Sequence, residues 1–155
     1  MGAWRQPNVS DSFTTRPSPP PTLWGMNVSV QSVVVEIVAR DVARTVEFYR
    51  LLGLEIPDPD GPHVDVALPG GNRLAFDTEE VIAGMHPGWT PPTGPGRVAI
   101  AFELGVPAAV DATFERLTAA GHPGTSVPYD APWGQRYATV QDPDGTSVDL
   151  FAPLP

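Results

Sequence analysis

One order of elements is written twice in this sequence, and that duplication restricts the fold more than any other feature. Ser32 to Ala39 (SVVVEIVA) is β-branched and predicts a strand. Asp41 stands where a helix N-cap is needed, Val42, Val46, Tyr49 and Leu52 follow at helical spacing, and Gly53 supplies the stop. Leu54 to Ile56 predicts a short strand before the turn-rich PDPDGP, and His63 to Leu68 and Arg73 to Asp77 alternate around Pro69-Gly70-Gly71-Asn72, a hairpin signal. The order then recurs. Arg97 to Leu104 predicts a strand, and Pro107 suits the first turn of a helix whose Val110, Phe114 and Leu117 face ends at Gly121. Strands follow over Thr125 to Tyr129, Gln135 to Gln141 and Thr146 to Phe151, with Asp142-Pro143-Asp144-Gly145 turning between the last two.

Each half therefore reads β-α-β-β-β, offset by roughly 63 to 75 residues, and a repeat of this size means two modules that complete one core. The expected class is α+β. Residues 30–83 form the first module, the Gly/Pro-rich 84–96 the linker and 97–153 the second module, with 26–155 as a single domain. Residues 1–25 show neither strand nor helix periodicity, and Pro17, Pro19, Pro20 and Pro21 favour extended chain, so a disordered leader is expected there. Met26 is a candidate natural start, while Trp4, Phe13 and Trp24 offer aromatic groups by which the leader could dock.

Composition removes several functions. Without Cys there is no disulfide framework, thiol nucleophile or Cys zinc site. All nine basic residues are arginine, which excludes lysine Schiff-base chemistry and a P-loop lysine. A formal charge of -9 argues against nucleic acid as a partner. No apolar run approaches the roughly 20 residues that cross a bilayer, and no secretory-type apolar stretch is found, so a cytoplasmic protein without a membrane partner is expected.

The string VEIVARDVARTVEFYRLLGLEI, followed by WGQRYATVQDPDGTSVDLFAP, resembles the vicinal oxygen chelate superfamily. This group includes glyoxalase I, bleomycin-resistance-type binding proteins and extradiol dioxygenases. The resemblance spans about residues 30 to 153 and rests on the aspartate before a helix carrying Phe48-Tyr49, and on Trp133-Gly134 leading to Asp142-Pro143-Asp144-Gly145 and a terminal strand. It implies two tandem βαβββ modules whose mixed sheet curls into an open cup, helices outside and ligand inside. It implies little about chemistry, because one fold hosts many functions.

Strand alternation sorts the side chains into two sets. Val33, Val35, Ile37, Leu74, Phe76, Val98, Ile100, Phe102, Leu104, Val148 and Leu150 make an apolar set suited to packing under helices. The opposite set carries Glu36, Arg73, Asp77, Arg97, Ser147 and Asp149, and polar groups there indicate a wet pocket. Metal-dependent relatives place one ligand on each of four strands, and carried over these positions are Val34, Ala75, Arg97 and Asp149. Only Asp149 is a donor for a divalent cation, whereas a catalytic metal needs about three protein ligands. A displaced site from Glu36, His63 and Asp149 is the weaker alternative, and no metal cofactor is expected.

Candidate ligand-binding residues are thus Glu36, Arg73, Arg97, Trp133, Tyr137 and Asp149. Arg97 is expected to pair with Asp149 where relatives hold metal, either as a structural salt bridge or as an anchor for a small molecule. Glu36, if buried, has the makings of a general base, as has Asp149. Trp133 offers a stacking surface, with Tyr137 and Gln135 on a shared parity. The favoured reading is a metal-independent protein that sequesters or carries a small flat ligand and forms a homodimer. Its rivals are a lyase, isomerase or dioxygenase on the same fold, and an interaction module whose cup is filled by its own side chains.

Overall fold

The computed structural model describes residues 30–94 and 96–155, so the expectation for residues 1–25 lies outside the described residues. Ser32–Pro155 is one compact unit. Its elements are β1 (Val34–Ala39), α1 (Val42–Leu52), β2 (His63–Ala67), β3 (Arg73–Thr78), α2 (Glu79–Met85), β4 (Ala99–Glu103), α3 (Pro107–Ala119), β5 (Gly124–Ala131), β6 (Gln135–Gln141) and β7 (Ser147–Pro153). They form two sheets, ordered β1-β3-β2 and β4-β7-β6-β5. Each is mixed: β1 runs parallel to β3 and β4 parallel to β7, and the other pairings are antiparallel.

Local chemistry accounts for α1. Asp41 Oδ1 accepts the Arg44 amide at 3.1 Å, satisfying a donor the helix cannot. Gly53 ends the helix at φ 119°, a conformation costly for any residue with a Cβ. Pro107 opens α3 as expected.

One expectation fails. Leu54 to Ile56 is no strand, because the Ile56 carbonyl that would pair with a neighbour is taken by the Arg50 guanidinium at 2.9 and 2.7 Å. The first sheet therefore has three strands where the second has four. The segment after β3 is helical and reaches two residues into 84–96: Thr78 Oγ1 accepts the Val81 amide at 3.3 Å, and Glu79 and Glu80 fill a first turn that favours acids.

The two modules share one core. Ile37, Val46, Phe48, Tyr49, Leu74 and Phe76 from the first join Val110, Leu117, Val140, Val148 and Leu150 from the second in a single buried cluster. Tyr49 sits at the junction, its ring 5.1 Å from Phe76 and 6.2 Å from Phe102. Its hydroxyl donates to Asp142 Oδ2 at 3.3 Å, and Asp142 Oδ1 accepts the amides of Asp144 and Thr146. Thr45 Oγ1 and the Arg40 amide donate to Asp144 at 3.2 and 3.3 Å. The DPDG turn of the second module thus anchors the first helix of the first. Burial pushes the Asp142 carboxyl up, against the pull of the amides it accepts. On the far side α3 lies so close to β5 that a Cβ on Gly124 would fall 2.5 Å from the Phe114 ring.

Candidate functional site

In the second sheet, burial alternates along β7, with Val148, Leu150 and Ala152 buried and Ser147, Asp149 and Phe151 only partly covered. The partly covered set faces away from the core. Register aligns Tyr129, Tyr137 and Phe151 across β5, β6 and β7, and Thr139 beside Asp149 and Ala101. The turn between β5 and β6 then brings Trp133 onto this row, its indole N–H donating to Gln135 Oε1 at 2.9 Å.

The result is an aromatic wall. Trp133 meets Tyr137 edge-on at 5.7 Å and Tyr129 at 6.4 Å, while Tyr137 stacks on Phe151 at 6.4 Å with the planes 23° apart. Trp133 remains 59% exposed, so its face is available for contact. Next to the wall lies Asp149, whose Oδ1 accepts the Thr139 hydroxyl at 2.8 Å. No cation pairs with Asp149 among the described residues. Burial, then the adjacent Asp149 carboxylate, push the Tyr137 hydroxyl up to about 12. An aromatic face beside an unpaired carboxylate is suited to stacking on a flat group and attracting a positive charge.

The other candidates lie elsewhere. Glu36 and Arg97 line a cleft of about 640 Å³ bounded by β1, the linker, the entry to β4 and the Asp144–Thr146 turn. The expected Arg97–Asp149 pair does not form, because Asp149 is registered on Ala101 and Arg97 precedes β4 altogether. Glu36 is solvent-exposed, so the burial that a general-base role was to rest on is absent. Arg73 is held by Asp65 of the neighbouring strand. Asp77, nearly inaccessible, is hydrogen-bonded through Oδ1 to His63 Nδ1 at 2.8 Å. Tyr129 and Phe151 escaped the sequence-based list, although their parity with Tyr137 marks them as its neighbours on a shared face.

The donor set does not fit a divalent metal. Of Val34, Ala75, Arg97 and Asp149, only Asp149 offers an oxygen, and no group of three or more His, Asp or Glu capable of holding a metal occurs among the described residues. Glu36, His63 and Asp149 do not form such a group among the described residues.

Comparison with known proteins places this geometry in context. Residues 31–150 match the family model described as the Glyoxalase/Bleomycin resistance protein/Dioxygenase superfamily. A glyoxalase/bleomycin resistance protein/dioxygenase from Nocardioides is 29% identical over 83% of this chain and 86% of its own, with a TM-score of 0.64. TioX from Micromonospora sp. ML1 is 26% identical over 79% of this chain and 98% of its own, with a TM-score of 0.54. A family enzyme from Burkholderia phytofirmans PsJN, at 20% identity and a TM-score of 0.69 over 78% of this chain and 97% of its own, shows the shared fold alone. No protein of curated function matches the chain. Two βα-containing modules fused through one core, and a family match across most of the sequence, establish that the chain belongs to the glyoxalase/bleomycin resistance protein/dioxygenase superfamily.

Proposed function

We propose that this protein is a metal-independent binder of a small, flat, preferably cationic molecule, held on the open face of the second sheet. The observation that carries this reading is the row Tyr129, Trp133, Tyr137 and Phe151 beside the carboxylate of Asp149, an acid with no cationic partner among the described residues. Stacking supplies affinity for a planar body, and the carboxylate selects its charge. The reading includes a homodimer in the cytoplasm. An aromatic face this exposed favours a second copy that covers part of it, and none of the described helices is long and apolar enough to cross a membrane.

Titration with proflavine, a planar cation, and with fluorescein, a planar anion, tests the binding directly. Saturable binding of proflavine with at least tenfold preference over fluorescein is expected, unchanged after dialysis against EDTA. Binding that disappears on chelation, or that ignores charge, overturns the reading. Light scattering should return twice the 16.5 kDa of one chain; a monomer at high concentration removes the dimer from it.

A further inference from the structure

The chain contains no Asn–Gly step and two Asp–Gly steps, Asp60-Gly61 and Asp144-Gly145. Such a step is a point of chemical weakness. Glycine has no side chain to hinder its own amide nitrogen, which can close a five-membered ring on the carboxyl group of the preceding aspartate. All four residues are solvent-exposed, so exposure does not separate the two steps. Hydrogen bonding does.

At Asp144 the groups that ring closure needs are already engaged. Its Oδ1 accepts the Arg40 amide at 3.3 Å and its Oδ2 the Thr45 hydroxyl at 3.2 Å. The Asp144 amide donates to Asp142 Oδ1 at 3.0 Å. The attacking nitrogen, that of Gly145, donates to the Asp142 carbonyl at 3.1 Å. The carboxyl group cannot swing onto that nitrogen without giving up these bonds.

Asp60-Gly61 lies in the loop between α1 and β2, which is held at both ends and free between them. Arg50 pairs with Asp58 at 2.8 Å, and the Pro62 carbonyl accepts the Thr78 amide at 3.0 Å. Between these ties, neither the Asp60 carboxylate nor the Gly61 amide has a hydrogen-bond partner among the described residues. The flanking Pro59 and Pro62 have no N–H with which to restrain the carboxylate. A Cβ built on Gly61 meets nothing within 4 Å, so neighbouring chain does not crowd the nitrogen either.

We propose that Asp60-Gly61 is a site of spontaneous backbone modification, passing through a succinimide to an isoaspartyl linkage, the form methylated by carboxyl methyltransferases that use S-adenosylmethionine. The Gly61 nitrogen bonds to the Asp60 side-chain carbonyl carbon while a C–O bond there breaks, and that oxygen leaves as water with the amide proton. Water then adds back to the ring. Where it cleaves the bond between nitrogen and the original main-chain carbonyl, the chain continues through the former side chain, one carbon longer. The carboxylate, and with it the net charge of -9, is preserved. Where it cleaves the new bond, aspartate is restored. The site is separate from the aromatic face of the second sheet and does not depend on what binds there.

The test ages the full chain at neutral pH and body temperature, once native and once in urea, and then cleaves it after arginine. Peptide 51–73 carries Asp60 and peptide 137–155 carries Asp144. Isoaspartate is read by methyl transfer from tritiated S-adenosylmethionine with an isoaspartyl methyltransferase, and the succinimide by mass spectrometry as a species lighter by one water. From the native chain, 51–73 should accept methyl groups at least tenfold faster than 137–155. In urea the two rates should come within about threefold, because the bonds that restrain Asp144 are gone. Asp60→Glu, which would have to close a six-membered ring, should abolish labelling of 51–73, and Gly61→Ala should slow it at least threefold. Equal labelling of both peptides from the native chain, no labelling of 51–73, labelling that survives Asp60→Glu, or a gap between the peptides that persists undiminished in urea each overturns the proposal.

Discussion

The two sheets descend from one pattern and use their polar faces in opposite ways. In the first, Arg73 is held by Asp65 and Asp77 by His63, so of the ionisable groups that alternation singles out there two are satisfied in pairs and the third, Glu36, lies exposed. Ala75 and Asp77 are almost fully buried, and α2 contacts β3 and β1. In the second, the same positions hold aromatic rings in loose edge contact and a carboxylate met only by hydroxyl groups. Duplication thus leaves one copy with an open aromatic face while the other satisfies its charges in pairs, and both copies rest on the shared core.

That contrast is open to attack at several strengths. The largest effect should come from the core, where the copies are equivalent: Phe76→Ala in the first and Leu150→Ala in the second should each cost about 3–4 kcal/mol in denaturant unfolding. Both variants should unfold in one transition, and two separated transitions would show that the modules do not share a core. On the polar faces the copies should part. Trp133→Ala should weaken proflavine at least tenfold, while an exposed indole contributes less than about 0.5 kcal/mol to stability. Asp149→Asn should reduce proflavine affinity several-fold and lower the Tyr137 pKa from about 12, read by ultraviolet titration of tyrosinate. Because folding raises that pKa, the associated stability is present below pH 10 and is lost as the pH climbs from 10 towards 12. The smallest effect belongs to the first sheet: Arg73→Ala, which removes a half-exposed ion pair, should cost less than about 1 kcal/mol and leave proflavine binding untouched. Loss of proflavine binding in Arg73→Ala would erase the distinction between the faces.

The reading of the sequence succeeded where signals are local. Asp41 and Gly53 bracket α1, Pro107 opens α3, and Gln135 to Gln141 is a strand over its predicted length. It failed at Leu54 to Ile56, where β-like composition was overridden by a guanidinium arriving from the preceding helix. It also missed α2, whose signal, Thr78 followed by two glutamates, is legible once a short helix is sought between β3 and the Gly/Pro-rich segment. Of the candidate site residues, Trp133, Tyr137 and Asp149 come together, Glu36 and Arg97 share a different cleft, and Arg73 is held by Asp65.

Sequence by itself determined the duplicated modules and most of the apolar set that became the core, Val33 and Val98 at the strand entries remaining exposed. These depend on residue type and on spacing within one element, which periodicity records directly. Tertiary structure alone decided which charges meet. Arg97 misses Asp149 because the parallel register of β4 on β7 sets Ala101 beside that acid, and Asp65 captures Arg73 because β2 happens to lie next to β3. Register between strands distant in sequence is set by the packing of the whole core, and a shift of two residues preserves every alternation pattern while exchanging every partner.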